Sequence, residues 1–237
     1  MKNYRKLLAG SLALLFAVGI TGCSNTSGGG TGVANEDGLV VLNVASTGQP
    51  VSFDPADANL VVNEYTEYDC YDTLLDFNQD GTDVVPALAE SWEQVDDLTY
   101  TYKIREGVKF SDGSDLTMDD VLYSLNRVRE DAYGMSYLFE HVDSFEVDEK
   151  TRTLTVHLTQ PDSTWKYVPA TTPCQILKKS VVEAEGDAYG TNEGSVVGTG
   201  PYKFVSWAAD SQIVLEKNEY WLSLIHISEP TRPLYIS

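Results

Sequence analysis

Residues 86–125 read PALAESWEQVDDLTYTYKIREGVKFSDGSDLTMDDVLYSL, and nearly every position in them has an identifiable structural job. Leu98, Tyr100, Tyr102 and Ile104 alternate with Thr99, Thr101 and Lys103. This period of two, in aromatic and β-branched residues, predicts a strand buried on one face only. Ser111-Asp112-Gly113 is turn chemistry: an Asx side chain followed by a glycine that tolerates positive φ. Thr117 then caps a helix, Asp120 stands where the reciprocal acid of a capping box belongs, and Leu116 with Val121 forms the flanking staple. Met118, Val121, Leu122, Leu125 and Val128 follow at helical spacing as the buried stripe. The stretch predicts a strand, a turn and a docked helix, with no catalytic group.

Working outward, the same pattern predicts a strand over Leu39–Ala45, a helix over 60–75 and a hairpin over 145–158. A helix over 178–186 and strands over 202–206 and 212–216 complete the expected elements. Leu154, Val156 and Leu158 define an inner face, so His157 points outward with Thr153 and Thr155. Gly198-Thr199-Gly200-Pro201 is a turn leading into a strand. No lysine-serine pair follows it to make a phosphate loop, and Pro201 would remove an amide from such a cradle.

The chain opens with Lys2, Arg5 and Lys6 before an apolar stretch from Leu7 to Ile20. That stretch falls short of the ~20 residues a spanning helix needs, and it has no polar face to suit a buried helix. Residues 1–22 are therefore expected to be an export signal. Ile20-Thr21-Gly22-Cys23 has the form of a lipobox, which makes Cys23 the lipidated first residue of the mature protein; an incidental cysteine after an ordinary signal is the alternative. Residues 23–38, rich in glycine, serine and asparagine, read as a flexible tether.

The 237 residues carry a formal net charge of −20. Phosphate backbones and anionic lipid surfaces repel such a chain, so nucleic acid is not an expected partner. A solvated extracytoplasmic surface explains the charge; steering of cationic ligands is the alternative. Cys70 and Cys174 either pair in an oxidising compartment or remain as buried thiols. Cys70, between Asp69 and Tyr71, has no His, Lys or Arg close in sequence to lower its pKa.

Asp76, Asn78, Asp80 and Gly81 match the opening of an EF-hand loop. The match fails where Ala87 replaces the bidentate glutamate, and an Asp-Gly turn explains the same residues without a metal. No nucleophile–base constellation occurs. Asp119 and Asp120 are helical neighbours whose side chains diverge by about 100°. No cofactor or metal is expected, and no catalytic residue is nominated.

The blocks LAESWE, TYTYKIREGVKFSDG, LTMDDVLYSL, GTGPYKFVSW at 198–207 and LEKNEYW at 215–221 occur in an order that closely resembles the peptide-type solute-binding proteins of bacterial ABC importers, extracellular solute-binding family 5. The resemblance covers Leu39 to Trp221. It implies the N-terminal lobe of a type II periplasmic-binding-protein clamshell, an α/β fold whose mixed sheet carries an inserted α+β subdomain. It also implies a lipid-anchored monomer that captures peptides outside the cytoplasmic membrane and delivers them to ABC permease subunits. Nickel chelates and oligosaccharides are alternative cargoes, and a peptide-signal surface receptor is an alternative role. In that resemblance the loop after the first strand, Ser46, Thr47, Gln49 and Pro50, faces the ligand cleft, with Met135 and Tyr137 as a second ligand-facing segment. The last stretch, 222–237 (LSLIHISEPTRPLYIS), resembles a translated sequencing adaptor joined to a shortened gene. It is expected to be non-native, which removes His226 from any functional argument.

Overall fold

The structure, a computed structural model, describes residues 33–34, 40–41, 44, 48, 50–57, 67–130, 135–208 and 211–221. The chain divides into two units, 1–45 and 46–237. In the first, β1 (Val33–Ala34) pairs antiparallel with β2 (Val40–Val41). Thus two residues of the expected tether are strand, and only Val40–Val41 of the expected strand 39–45 is strand among the described residues.

The second unit is built on a four-stranded antiparallel sheet of order β5-β6-β8-β7. Its members are β5 (Ala89–Asp96), β6 (Thr99–Ile104), β7 (Val142–Asp148) and β8 (Thr153–Leu158). Tyr100, Tyr102 and Ile104 of β6 are buried, as are Leu154, Val156 and Leu158 of β8. Register places Tyr100 opposite Val156 and Tyr102 opposite Leu154, so the two inner faces coincide. Leu98 departs from expectation and is 38% exposed. It belongs to the β5–β6 turn, where its amide donates to Asp96 Oδ1, and the buried alternation begins at Tyr100.

Helix α1 (Met118–Glu130) starts where the capping box predicts. The Asp120 amide donates to Thr117 Oγ1 at 3.1 Å, and the Thr117 amide donates to Asp120 Oδ2 at 3.0 Å. Met118, Val121, Leu125 and Val128 are buried in the large apolar cluster with the sheet, Phe139 and Trp165. Leu122 is half-buried and Ser124 takes the inward place instead. Positions 121, 124, 125 and 128 form one stripe at 100° per residue, and Leu122 lies off it. The Ser124 hydroxyl accepts from the Leu177 amide at 2.9 Å, tying the helix to the chain that enters α2 (Lys179–Glu185).

β3 (Leu75–Phe77) and β4 (Val84–Pro86) form a short hairpin. Asn78 Oδ1 closes its turn by accepting from the Thr82 and Asp83 amides, which gives the EF-hand-like residues a structural task. Residues 67–70 are helical, but the helix expected over 60–75 ends at Cys70, and residues 58–66 lie outside the described residues. The reason is a long-range contact: the Cys70 carbonyl, which a continuing helix would occupy, accepts from the Gly200 amide at 2.9 Å. Leu75 is thereby free to open β3.

A smaller apolar cluster joins Phe53, Cys70, Tyr71, Leu177, Val182, Tyr189 and Val196. Phe204, Trp207, Ile213 and Leu215 of the ribbon β9 (Tyr202–Ala208) and β10 (Gln212–Lys217) pack against it. β9 and β10 pair with each other, rather than joining a larger sheet among the described residues. Cys70 and Cys174 are both buried and free, and burial pushes the Cys174 thiol up to about 12 and the Cys70 thiol higher still. No helix among the described residues is long and apolar enough to cross a membrane.

Candidate functional site

Of the residues expected to face a ligand, Ser46, Thr47 and Gln49 lie outside the described residues, as does the lipobox Cys23. Pro50 is buried, and beside it Val51 is 64% exposed. Met135 is half-buried against the large cluster. Tyr137 is 64% exposed, on a 3-10 turn formed by Ser136–Phe139. That turn is fixed from below: Phe139 is buried, its ring edge-on to Trp165 at 5.5 Å. Met135 and Tyr137 therefore share one segment. No hydrogen bond or ring contact joins them to Pro50 among the described residues.

The segment that leads away from Pro50 is held by residues not nominated from the sequence. Ser52, Phe53, Asp54 and Ala56 are all buried. The Phe53 amide donates to the Gly190 carbonyl at 2.7 Å, and the Asp54 amide donates to Ser52 Oγ at 2.9 Å. Asp54 Oδ1 accepts from the Ala56 amide at 3.0 Å. Both carboxylate oxygens then receive the guanidinium fork of Arg127, Nη1 at 2.6 Å and Nη2 at 2.5 Å. Burial works against the Arg127 charge, but Asp54 more than offsets it and its pKa is raised. Arg127 also lies over the Tyr189 ring at 6.0 Å, and the Tyr189 and Tyr71 hydroxyls share a hydrogen bond of 2.8 Å. Burial holds both phenols neutral by pushing their pKa values up. Gly190 has φ +75°, and a Cβ there would stand 2.6 Å from the Asp54 amide nitrogen, so glycine is required on both counts. The available sequence signal was a lone acid in the apolar run Val51-Ser-Phe-Asp-Pro. Arg127 sits two positions beyond Leu125, off the helix's buried stripe.

A second polar feature borders the large cluster. A small cavity is lined by Asp72, Ala87, Leu88, Arg105, Val108, Thr199 and Trp221. Arg105 Nε donates to the Ala87 carbonyl at 2.7 Å. Asp72 is half-buried by exposure yet crowded on all sides, and this burial pushes its carboxyl up to about 6. Next to Thr199, the glycines of the GTGP turn lie flat on the 69–71 backbone. A Cβ on Gly198 would come within 2.1 Å of the Cys70 carbonyl oxygen.

His157 is partly exposed, with Nε2 3.7 Å from Glu146, as its outward register requires. A shallow surface depression around it is lined by Asp96, Asp97, Leu98 and Thr99. No cluster of metal-ligating side chains occurs among the described residues.

The model of the bacterial extracellular solute-binding proteins, family 5 (middle), matches residues 83–233. The match runs into 222–233, part of the stretch expected from the sequence to be adaptor-derived and outside the described residues. The dipeptide-binding protein DppE of Bacillus subtilis (strain 168) is 29% identical over 243 residues, covering 93% of this chain and 44% of that protein. The chain thus spans less than half the length of this curated relative. Among solved structures, the PBP AgaA from A. tumefaciens R10, in complex with agropinic acid, superposes with a TM-score of 0.67 at 25% identity over 75% of this chain and 36% of that one. The oligopeptide-binding protein AppA of Bacillus subtilis, in complex with a nonapeptide, superposes at 0.65 with 27% identity over 74% and 36%. The mixed α/β architecture expected from the sequence is the architecture of these binding proteins.

Proposed function

Because the chain belongs to the bacterial extracellular solute-binding proteins of family 5, we propose that the whole protein captures a peptide outside the cytoplasmic membrane and delivers it to ABC permease subunits. The observation that carries this reading is the likeness, over 93% of the chain, to a dipeptide-binding protein. The chain serves as one wall of the cleft. Its loop Ser46, Thr47, Gln49 and Pro50 meets the ligand main chain, and the segment Met135–Tyr137 supplies an adaptable thioether and an amphipathic ring. Main-chain hydrogen bonds are indifferent to side chains, so the specificity is broad. The ligand stabilises a closed state only by contacts it makes better there than in the open one. Cys23 carries the lipid that keeps the protein at the membrane surface, and 23–38 is the tether. No bond is made or broken in the ligand.

Calorimetry on the complete protein tests this against dipeptides to pentapeptides, nickel chelates and oligosaccharides. Saturable one-to-one binding of peptides, recovered unaltered from the complex, is the expected result. Saturation by a nickel chelate or a sugar with none by peptides would replace the cargo. Release of cleaved peptide would replace the class of activity.

A further inference from the structure

We infer that Arg127 is a positioning residue for the ligand loop: by gripping Asp54 it sets the backbone of residues 50–56 against the large core. This rests on the peptide-binding reading and deepens it. Four constraints converge on Asp54. Its amide is held by Ser52 Oγ, its Oδ1 by the Ala56 amide, both its oxygens by Arg127, and the residue before it by the Gly190 carbonyl. Three of these are local or fall within the smaller cluster. Only Arg127 reaches from α1, whose buried stripe is seated in the large cluster on the sheet. Residues 55–57 also pack against 172–174, so what Arg127 adds is a fixed rotation of the Asp54 carboxylate relative to α1.

The chemistry of the pair points to geometry rather than to cohesion. The Asp54 side chain is 6% exposed and that of Arg127 is 16% exposed. At such depth an ion pair is commonly matched or bettered in stability by apolar residues of the same volume, so cohesion alone does not call for one. A guanidinium fork laid on both oxygens of a carboxylate fixes rotation as well as distance, which a lysine ammonium cannot do. The fixed base then ends abruptly. Ser52 is 4% exposed, while Val51, the next residue toward Pro50, is 64% exposed. Main-chain hydrogen bonds to a ligand reward a backbone that is already in place, which the fixed segment 52–56 provides next to the proposed loop.

The test uses the complete protein and three variants. R127K keeps the charge and removes the fork; D54N keeps the side-chain volume, weakens the pair and stands in should R127K fail to fold. V128A, next door on α1 but buried in the large cluster, is the control for lost stability. Peptide Kd is measured by calorimetry well below each Tm, and amide exchange is followed at Phe53, Asp54 and Ala56. Positioning predicts a Kd weakened at least about tenfold in R127K or D54N, with faster exchange at those three amides. V128A is expected to stay within about twofold of the parent in Kd at a comparable or larger loss of Tm. Equal Kd in all variants, or exchange at 53–56 no faster in R127K than in V128A, overturns the inference. If the unsubstituted protein takes up no peptide, the functional reading falls, and the exchange comparison alone decides whether Arg127 fixes the loop.

Discussion

The sheet-and-helix region around Tyr102 and the loop-built region around Phe53 both have apolar interiors, yet they are assembled by different means. The first is local: β5 to β8 and α1 come from one continuous stretch, and each buries a face whose spacing is written into that stretch. The second is long-range. It gathers residues from the fifties, the early seventies and the region 177–215, held by close contacts of Gly190, Gly198 and Gly200, a buried ion pair and a tyrosine–tyrosine hydrogen bond. Periodic patterning builds a frame, and isolated polar contacts and glycines set loops upon it. The segment 50–56 belongs to the second kind.

The largest expected effect contrasts the two interiors directly. Trp165 is fully buried, packs edge-on against Phe139 and donates Nε1 to Tyr102 Oη at 3.1 Å. Trp165→Ala should cost about 3–5 kcal/mol and lower the urea midpoint of the whole unit. Phe53→Ala removes a buried ring of the smaller cluster and should first accelerate amide exchange within 50–56. If exchange instead rises uniformly in both variants, the two clusters unfold as one and the contrast fails.

A smaller effect sharpens the local side. Thr117→Ala removes the acceptor for the Asp120 amide and should cost about 1 kcal/mol, read as a shift in the urea midpoint at unchanged m. A loss several times greater would mean that the box also positions α2, whose first amide, Lys179, donates to Asp120 Oδ1 at 3.0 Å.

A further effect lies at the small cavity lined by Asp72 and depends on pH. The Asp72 carboxyl is raised from 3.8 to about 6 by burial, so between those values the folded chain holds a proton that the unfolded chain has lost. Its contribution to stability is present below about 3.8 and disappears as pH rises through about 6. Asp72→Asn should therefore raise Tm at pH 7.5, and the gain should shrink toward pH 4. A gain that is the same at both values would show that the carboxyl titrates normally.

The frame was legible because its signals are short-ranged. The alternation in β6, the inner face of β8 and the Thr117–Asp120 box each lie within a few residues, and all three are as the sequence predicts. The errors arose where a distant partner decided the outcome. The helix over 60–75 ends at Cys70 because Gly200, far along the chain, takes its carbonyl. Leu98 is the local exception, turned outward because the Asp96 side chain two residues back claims its amide for the turn. The ligand-facing nominations rested on resemblance, and of them Pro50, Met135 and Tyr137 are described. The Asp54–Arg127 grip was not legible, since no local spacing connects an acid in a loop with a helix 73 residues away.

The two sealed thiols make the fold its own stopwatch. Cys70 and Cys174 lie one in each cluster, both out of reach of solvent. An alkylating reagent can modify each only while its surroundings are open, so the rate of labelling at one site against the other would time the breathing of each interior without any added probe.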